Sequence, residues 1–192
     1  MCYLPTVPAE PAPRLEVLYD AAAVAAGVRR VADAIGRDLA GRTVLAVPVM
    51  NGALFFAADL LRALPSSVAC AGFCSAAVSS YGAGTSPSGR PAVHAFPSAE
   101  QLAGRVALVI DTVLDTGATV EAVRAEALAR GAAAVRVACL LDKSARRTHP
   151  VRADWAAFSA PDRFLVGYGL DAGGRWRTLP YVAALETVDV PG

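Results

Sequence analysis

Lysine is nearly absent from this sequence, and neither sign of charge is in excess. The chain of 192 residues has 18 basic and 17 acidic residues, for a formal net charge of +1, and every basic residue except Lys143 is an arginine. A protein that binds nucleic acid by neutralising phosphates normally has a basic excess, so this balance predicts no nucleic-acid partner. Because the composition disfavours lysine, the one that is retained is a candidate functional residue.

The sequence also lacks an uninterrupted apolar run, a metal-type cysteine pattern and a targeting segment. The longest apolar stretch, 44–64, contains Pro48, Asn51 and Asp59, which would be costly inside a bilayer. The first 14 residues do not have the basic-then-apolar order of a signal peptide. Cys70 and Cys74 have the gap of a metal-binding pair, but no second pair or His cluster lies nearby, so we expect all four cysteines to be reduced thiols. These absences predict a cytoplasmic protein with no membrane association.

The apolar residues that are present suffice for one domain. They make up 55% of the chain, against 18% charged residues, which excludes a disordered protein. A helix face is predicted before Gly41 by the spacing of Val24, Val28, Val31, Ile35 and Leu39. Further helices are predicted at 53–64 and 120–130, and strands at 44–49, 67–73, 91–96 (the return of a long hairpin), 105–110 and 134–141, with short ones near Ala156, Phe164 and Tyr181. Such alternation predicts an α/β protein whose parallel sheet is covered on both faces.

The most aliphatic strand is followed by the residues with the most chemical potential. Segment 111–119 is predicted to be a polar turn that opens the next helix. Backbone N–H groups at a helix start bind anions, and the hydroxyls of Thr116 and Thr119 add donors. Asp111 and Asp115 would repel a bare phosphate, so we expect them to serve sugar hydroxyls, a metal ion or a cationic transition state. The alternative is structural, with Asp115 or Thr116 capping the helix and Asp111 ending the strand.

Segment 106–119 resembles the phosphoribosyl-pyrophosphate loop of the type I phosphoribosyltransferases. In that family an aliphatic strand leads through acidic residues to Asp-Thr-Gly and a closing Thr. Further segments resemble the hypoxanthine-guanine branch and follow in the family's order, over about residues 15–186. They are the pyrophosphate-loop segment 50–53, the Ser80-Tyr81 pair, the purine-contacting segment 140–147, and the C-terminal segments 161–171 and 175–181.

The resemblance implies a fold and a reaction. The fold would be a single domain over residues 1–192, with a mostly parallel central sheet flanked by helices, a small hood from the chain termini and a flexible active-site loop. Residues 1–15 would form an extended arm, and the hood would come from the N-terminal region and residues 150–190. The reaction would transfer the 5-phosphoribosyl group from phosphoribosyl pyrophosphate to a 6-oxopurine (hypoxanthine and/or guanine) in purine salvage. Mg²⁺ would be the cofactor, and the assembly a homodimer or homotetramer.

An oxocarbenium-like transition state needs nearby negative charge, an acceptor for the purine N7 proton and a metal on the leaving pyrophosphate. The resemblance makes Asp115 the acceptor and Lys143 the donor to the purine 6-oxo group. Without it, Lys143 would be interpreted as a surface charge and Phe164 as a core aromatic. The resemblance also implies binding roles for the sugar and phosphate groups. Ribose and the 5′-phosphate would be bound by Asp111, Thr112, Thr116, Gly117, Ala118 and Thr119, and pyrophosphate by Asn51, Gly52 and Arg177, with an unusual peptide conformation at Asn51 and Gly52. Phe164 and Leu165 would contact the purine, Ser80 and Tyr81 would close the loop over the site, and Asp171 and Asp111 would bind Mg²⁺.

Two positions depart from the family pattern. Thr112 stands where the family usually has a second acidic residue, and Asn51 where it often has Lys or Arg. They raise a second hypothesis, a catalytically weak member of the fold that senses nucleotides and regulates a partner. Asp115 and the Ser80-Tyr81 pair argue against it, since a sensor needs no proton acceptor or lid. A nucleotide-binding protein of another doubly wound type would have a Gly-x-Gly-x-x-Gly turn or a Walker loop, and the sequence has neither. An aspartate in place of Thr112 is expected to lower the KM for phosphoribosyl pyrophosphate.

Overall fold

The centre of the molecule is a seven-stranded, mostly parallel sheet. The structure is a computed structural model that describes residues 13–79 and 91–186. Within those residues the strands are β1 (Leu15–Tyr19), β2 (Thr43–Met50), β3 (Ala69–Phe73), β4 (Ala76–Ser79), β5 (Ala92–Ala95), β6 (Val106–Leu114), β7 (Ala134–Asp142), β8 (Trp155–Ser159), β9 (Leu165–Val166) and β10 (Val182–Leu185), and the helices are α1 (Ala21–Asp38), α2 (Leu54–Ala63), α3 (Ala99–Leu102) and α4 (Ala118–Ala129).

The sheet has the strand order β5-β4-β2-β6-β7-β8, with β3 also beside β2. Its pairings are parallel except for the antiparallel pair β4 and β5. The predicted α/β class and mostly parallel sheet are therefore confirmed, as is the return strand of the hairpin. The central strand β6 is hydrogen-bonded to both β2 and β7, so the carboxyl ends of these three strands meet at one edge.

Helices cover both faces of the sheet, which explains the almost continuous apolar runs in β2, β6 and β7. Helix α1 begins after Asp20, whose Oδ1 accepts a hydrogen bond of 2.8 Å from the Ala23 N–H. All five residues of its predicted apolar face are buried. They pack with Phe56 and Leu60 of α2 against one face of the sheet, while Leu102 of α3 and Val120 and Val123 of α4 cover the other.

A second, three-stranded sheet lies apart from the first, with the order β1-β10-β9 and antiparallel pairing. It joins the start of the described chain to its end, as predicted for the hood. Residues 155–159, which the sequence analysis placed in the hood, instead form β8 and extend the central sheet, because they pair in parallel with β7. None of the described helices combines the length and hydropathy that a membrane crossing requires.

The largest difference from the predicted elements concerns β6. The strand was predicted to end at 110, where the residues become polar, but it continues through Leu114. Its pairing with β7 persists to the register Leu114↔Asp142, because a buried backbone keeps its ladder hydrogen bonds whatever the polarity of its side chains. The prediction of a turn is therefore wrong for residues 111–114. Strand β4 and the short helix α3 were not predicted.

Candidate active site

A cavity of about 970 Å³ opens beside the carboxyl ends of β2, β6 and β7, at the sheet edge where open α/β folds bind ligands. Asn51 and Gly117 adjoin the lining residues without being among them, and Ser80 and Tyr81 lie outside the described part of the chain. The cavity brings together the other residues singled out in the sequence: Gly52, Asp111, Thr112, Asp115, Thr116, Ala118, Thr119, Lys143, Phe164, Leu165, Asp171 and Arg177.

The end of β6 places two neighbouring polar side chains in different surroundings. Because side chains alternate along a strand, Asp111 is partly exposed while Thr112 is only 1% exposed. Burial raises the pKa of Asp111 to about 7, although backbone N–H groups of Thr112 and Val113 oppose this shift. The Thr112 N–H donates to Asp111 Oδ1 at 2.7 Å. Asp111 is therefore a carboxyl group that changes charge near neutral pH.

The Thr112 hydroxyl is committed to the predicted pyrophosphate loop. It donates a hydrogen bond of 2.8 Å to the Gly52 carbonyl oxygen. The backbone of Gly169 also lies close to this oxygen, since an ideal Cβ at Gly169 would come within 2.0 Å of it. The preceding Met50–Asn51 peptide is cis, at the place where an unusual peptide was expected. Thr112 thus tethers the loop from behind, and the proton of its hydroxyl is not available to a ribose hydroxyl.

The predicted phosphate-binding turn leads directly into α4. Gly117 has a φ of 93°, a left-handed conformation that favours glycine, and an ideal Cβ there would lie 2.4 Å from Val151 Cγ2. The N-cap residue of α4 is Gly117, which has no side chain that could accept a capping hydrogen bond. The interpretation of Asp115 as a helix cap is therefore wrong, whereas the hydroxyl of Thr116 accepts a hydrogen bond of 3.4 Å from the Ala118 N–H.

Asp115 carries a carboxylate oxygen that is buried and poorly satisfied. Its Oδ1 lies 3.1 Å from Arg146 Nε, yet this ion pair lacks the geometry of a hydrogen bond, and Oδ1 has no other hydrogen-bond partner in the described chain. Arg146 is shared, because its Nη1 also lies 3.2 Å from Asp162 Oδ1. Asp115 thus lines the cavity with a buried carboxylate oxygen that accepts no hydrogen bond from the described residues.

Lys143 and Phe164 are two further residues that line the cavity. Lys143 is 6% exposed, and its Nζ donates a hydrogen bond of 2.6 Å to the Arg163 carbonyl oxygen. Phe164 is 57% exposed and lines the cavity. Both ordinary interpretations are wrong: the lysine is not a surface charge, and the aromatic ring is not in the core. The ammonium group keeps two further N–H donors for a ligand.

Asp171 and Arg177 both line the cavity and lie in contact with each other. Asp171 Oδ1 lies 2.5 Å from Arg177 Nη2, and Oδ2 accepts a hydrogen bond of 2.7 Å from the Gly174 N–H. Arg177 Nη1 donates to the Gly169 carbonyl oxygen at 2.6 Å. The two residues predicted to bind metal and pyrophosphate are therefore paired with each other.

Two arginines of the site received no role from the sequence. Arg146 pairs with both Asp115 and Asp162, and the side chain of Arg147 lies beneath the predicted phosphate-binding turn. The only signal was their position within 140–147, the segment that resembles the purine-contacting segment of the family. Two adjacent arginines in a sequence cannot be distinguished from ordinary surface residues by a local pattern.

The chain is similar to known proteins in both sequence and structure. The phosphoribosyl transferase domain family matches residues 15–172. The chain is 30% identical to the hypoxanthine-guanine phosphoribosyltransferase of Streptococcus pneumoniae (strain ATCC BAA-255 / R6) over 171 residues, which cover 89% of this chain and 93% of that one. A crystal structure of a hypoxanthine-guanine phosphoribosyltransferase from Bacillus anthracis has a TM-score of 0.79 at 28% identity, covering 89% of this chain and 98% of that one. A hypoxanthine phosphoribosyltransferase structure from Staphylococcus aureus also has a TM-score of 0.79, at 26% identity, covering 89% and 91%.

Proposed function

The chain belongs to the phosphoribosyl transferase family, and we propose that it transfers the 5-phosphoribosyl group from phosphoribosyl pyrophosphate to a 6-oxopurine, hypoxanthine and/or guanine. The products are a nucleoside monophosphate and pyrophosphate. One observation carries the proposal: a single cavity is lined by the carboxylate of Asp115 and by the buried Lys143. The two lie near each other, because the Lys143 N–H donates to the carbonyl of Leu114, the residue before Asp115. N7 and the 6-oxo group lie on the same edge of a purine, so one base would present N7 to Asp115 and the 6-oxo group to Lys143.

Proton transfer and purine recognition follow from this arrangement. Asp115 accepts the N7 proton as the bond from N9 to the ribose forms, and its buried Oδ1, which accepts no hydrogen bond from the described residues, supports that role. Lys143, held by the Arg163 carbonyl, donates to the 6-oxo group. Phe164 stacks on the purine with its exposed ring, and the backbone of Leu165 faces the edge of the base.

Substrate positioning uses the remaining predicted residues. The turn Thr116, Gly117, Ala118 and Thr119 binds the 5′-phosphate through its amides and hydroxyls. Asp111 holds ribose hydroxyls. Asn51, Gly52 and Arg177 bind pyrophosphate, and Ser80 and Tyr81 belong to the loop that closes over the reaction. The predicted ribose contact of Thr112 is left to its oxygen lone pairs, because its proton is donated to Gly52.

Mg²⁺ is the cofactor that the family resemblance implies. Mg²⁺ usually binds one or two carboxylates together with water and substrate phosphates, and Asp171 and Asp111 both line the cavity. Within residues 13–79 and 91–186 there is no cluster of three or more His, Cys, Asp or Glu arranged for a metal. The residues therefore fit an ion that arrives with the pyrophosphate, whose departing charge it would neutralise.

The test is an assay of the purified protein with phosphoribosyl pyrophosphate, Mg²⁺ and hypoxanthine, guanine or xanthine. We expect nucleoside monophosphate and pyrophosphate in equal amounts with hypoxanthine or guanine. A protein that binds nucleotides but forms no product with any of the three would overturn the proposal in favour of the sensor, which the named relatives do not favour. Size-exclusion chromatography tests the proposed homodimer or homotetramer, and the cytoplasmic location is proposed on the same resemblance.

A further inference from the structure

The guanidinium group of Arg147 hydrogen-bonds to four acceptors under the cavity. Its Nε donates to the Asp115 carbonyl oxygen at 2.9 Å, its Nη1 to the Val151 carbonyl at 2.6 Å and its Nη2 to the Leu114 carbonyl at 3.1 Å. Nη2 also contacts Asp142 Oδ1 at the end of β7. The side chain is 15% exposed and is not among the residues that line the cavity. Arg147 therefore contacts the protein rather than a ligand.

The backbone around Arg147 completes the same pattern. The N–H groups of Thr148 and His149 both donate to the Thr116 carbonyl, at 3.0 and 3.1 Å, and the Lys143 N–H donates to the Leu114 carbonyl at 3.0 Å. Consecutive carbonyls from Leu114 to Thr116 are thus all held from one side. The close approach of Gly117 to Val151 shows that segment 147–151 packs directly against the turn.

Fixing these carbonyls also fixes the amides on the other side. A trans peptide holds its C=O and N–H in opposite directions, and the peptides from Asp115 to Gly117 are trans. The N–H groups of Thr116 and Gly117 therefore point away from Arg147 and its neighbours. Neither donates a hydrogen bond to any described residue, so both are available to an anion at the start of α4.

We propose that Arg147 is a positioning residue: it holds the Asp115 backbone and orients the amides of the turn that binds the 5′-phosphate. Four acceptors in fixed directions require the planar fork of a guanidinium, because an ammonium group is a point charge with three donors. The inference rests on the proposed function, because the 5′-phosphate subsite is part of that function. Arg147 would preorganise this subsite.

The experiment measures how much the phosphate group adds to binding. Titration calorimetry gives the affinities for guanosine and guanosine 5′-monophosphate, and their ratio isolates the phosphate subsite. Arg147→Met keeps the aliphatic stem and should lower this ratio at least tenfold. Turnover should also fall, by roughly 10²-fold, because the reacting groups are misplaced. The KM for the purine should stay within about threefold, since Lys143 has its own anchor.

Arg130→Met is the matched control. Arg130 also donates to two carbonyls, those of Phe96 and Pro97, and pairs with Glu126, but it lies at the opposite end of α4. Its loss should lower the melting temperature and leave the affinity ratio unchanged. An unchanged ratio in folded Arg147→Met, or an equal fall in both variants, would overturn the proposal.

Arg147→Lys covers the case in which the methionine variant does not fold. It keeps the charge but cannot reach all four acceptors, so a ratio reduced at least tenfold supports the proposal and a ratio equal to that of the wild type overturns it. A wild-type protein that binds the nucleotide but transfers no phosphoribosyl group would contradict the proposed function alone, because the ratio is a binding measurement.

Discussion

The two ends of the cavity are built in different ways. The end that we propose binds the 5′-phosphate, called here the phosphate end, is one continuous segment, 114–119, and the carbonyls of Leu114 to Thr116 are held by segment 143–151. The end that we propose binds pyrophosphate, called here the pyrophosphate end, is assembled from parts that are distant in the sequence. There Thr112 is bonded to Gly52, and Asp171 is paired with Arg177.

The two ends therefore differ in how their ligand-binding groups are arranged. At the phosphate end the groups proposed to face the ligand are backbone amides, whose directions are fixed by several hydrogen bonds to the carbonyls of the same segment. At the pyrophosphate end two charged side chains, those of Asp171 and Arg177, are paired with each other. We therefore expect single changes near the phosphate turn to be severe only where they remove a reacting group or Arg147, and changes at the other end to act on affinity.

The largest effect is expected for Asp115→Asn. The amide retains the shape of the carboxylate but cannot accept the N7 proton, so turnover should fall roughly 10²–10⁴-fold with little change in either KM. Steady-state kinetics measure this directly. Asp162→Asn is the control, because Asp162 pairs with the same Arg146 and should keep turnover within a few fold. Near-normal turnover in Asp115→Asn would show that Asp115 is not the general base.

Lys143→Met should act on the purine alone. Losing a charge-assisted hydrogen bond costs about 1.5–3 kcal/mol, so the KM for the purine should rise roughly tenfold to a hundredfold. The KM for phosphoribosyl pyrophosphate serves as the internal control and should change less than about threefold. An equal rise in both would show that the bond from Lys143 to the Arg163 carbonyl supports the whole cavity, and the ends could not be treated as independent.

The sequence predicts the phosphate end better than the pyrophosphate end, and the reason is the range of the contacts. The turn and its glycine are contiguous, so an aliphatic strand followed by Asp-Thr-Gly-Ala-Thr indicates them locally. The bond from Thr112 to Gly52 joins residues 60 positions apart, which no local pattern contains. The four acceptors of Arg147 come from the ends of two strands and from a loop, so its role becomes visible only in three dimensions.

The end of β6 shows a different failure of prediction. Polarity at 111 and 112 suggested a turn, but the buried ladder with β7 continues to Leu114. Asp111 and Thr112 are therefore strand residues that alternate in direction, and only one of them retains a free polar group toward the cavity. The resemblance to the family had implied that both residues bind the ribose.

Asp111 lines the same cavity, and its pKa of about 7 predicts a pH dependence of stability. The unfolded chain loses this proton near pH 4, while the folded protein keeps it up to about pH 7, so the stabilisation is present below pH 4 and is lost as pH rises through 7. Without metal or substrate, urea unfolding should show the wild type losing about 2–3 kcal/mol relative to Asp111→Asn between pH 5 and 8. A difference that does not vary with pH would show that the cavity solvates this carboxylate.

The smallest effect is expected where a neutral hydrogen bond holds the pyrophosphate loop. Thr112→Val removes the donor to the Gly52 carbonyl and keeps the side-chain volume, at a cost of about 0.5–1.5 kcal/mol. The KM for phosphoribosyl pyrophosphate should therefore rise roughly twofold to tenfold, while Thr112→Ser, which keeps the hydroxyl, should resemble the wild type. Thr148→Val is the control at the phosphate end, because Thr148 Oγ1 makes a 3.5 Å contact with a carbonyl that two amides already hold. A larger rise of this KM in Thr148→Val than in Thr112→Val would show that single hydrogen bonds matter more at the phosphate end than at the pyrophosphate end, contrary to our expectation.

Thr112→Asp sharpens the same test because the structure reverses the expectation from the sequence. A carboxylate at this position would place acceptor oxygens against the Gly52 carbonyl oxygen, in a site that is 1% exposed. It would lie next to Asp111, so each charge would raise the pKa of the other. The KM for phosphoribosyl pyrophosphate should accordingly rise above that of Thr112→Val instead of falling below that of the wild type. A lower KM in steady-state assays would mean that the strand end rearranges to present the new carboxylate to the ribose, and the tether to Gly52 would then be dispensable.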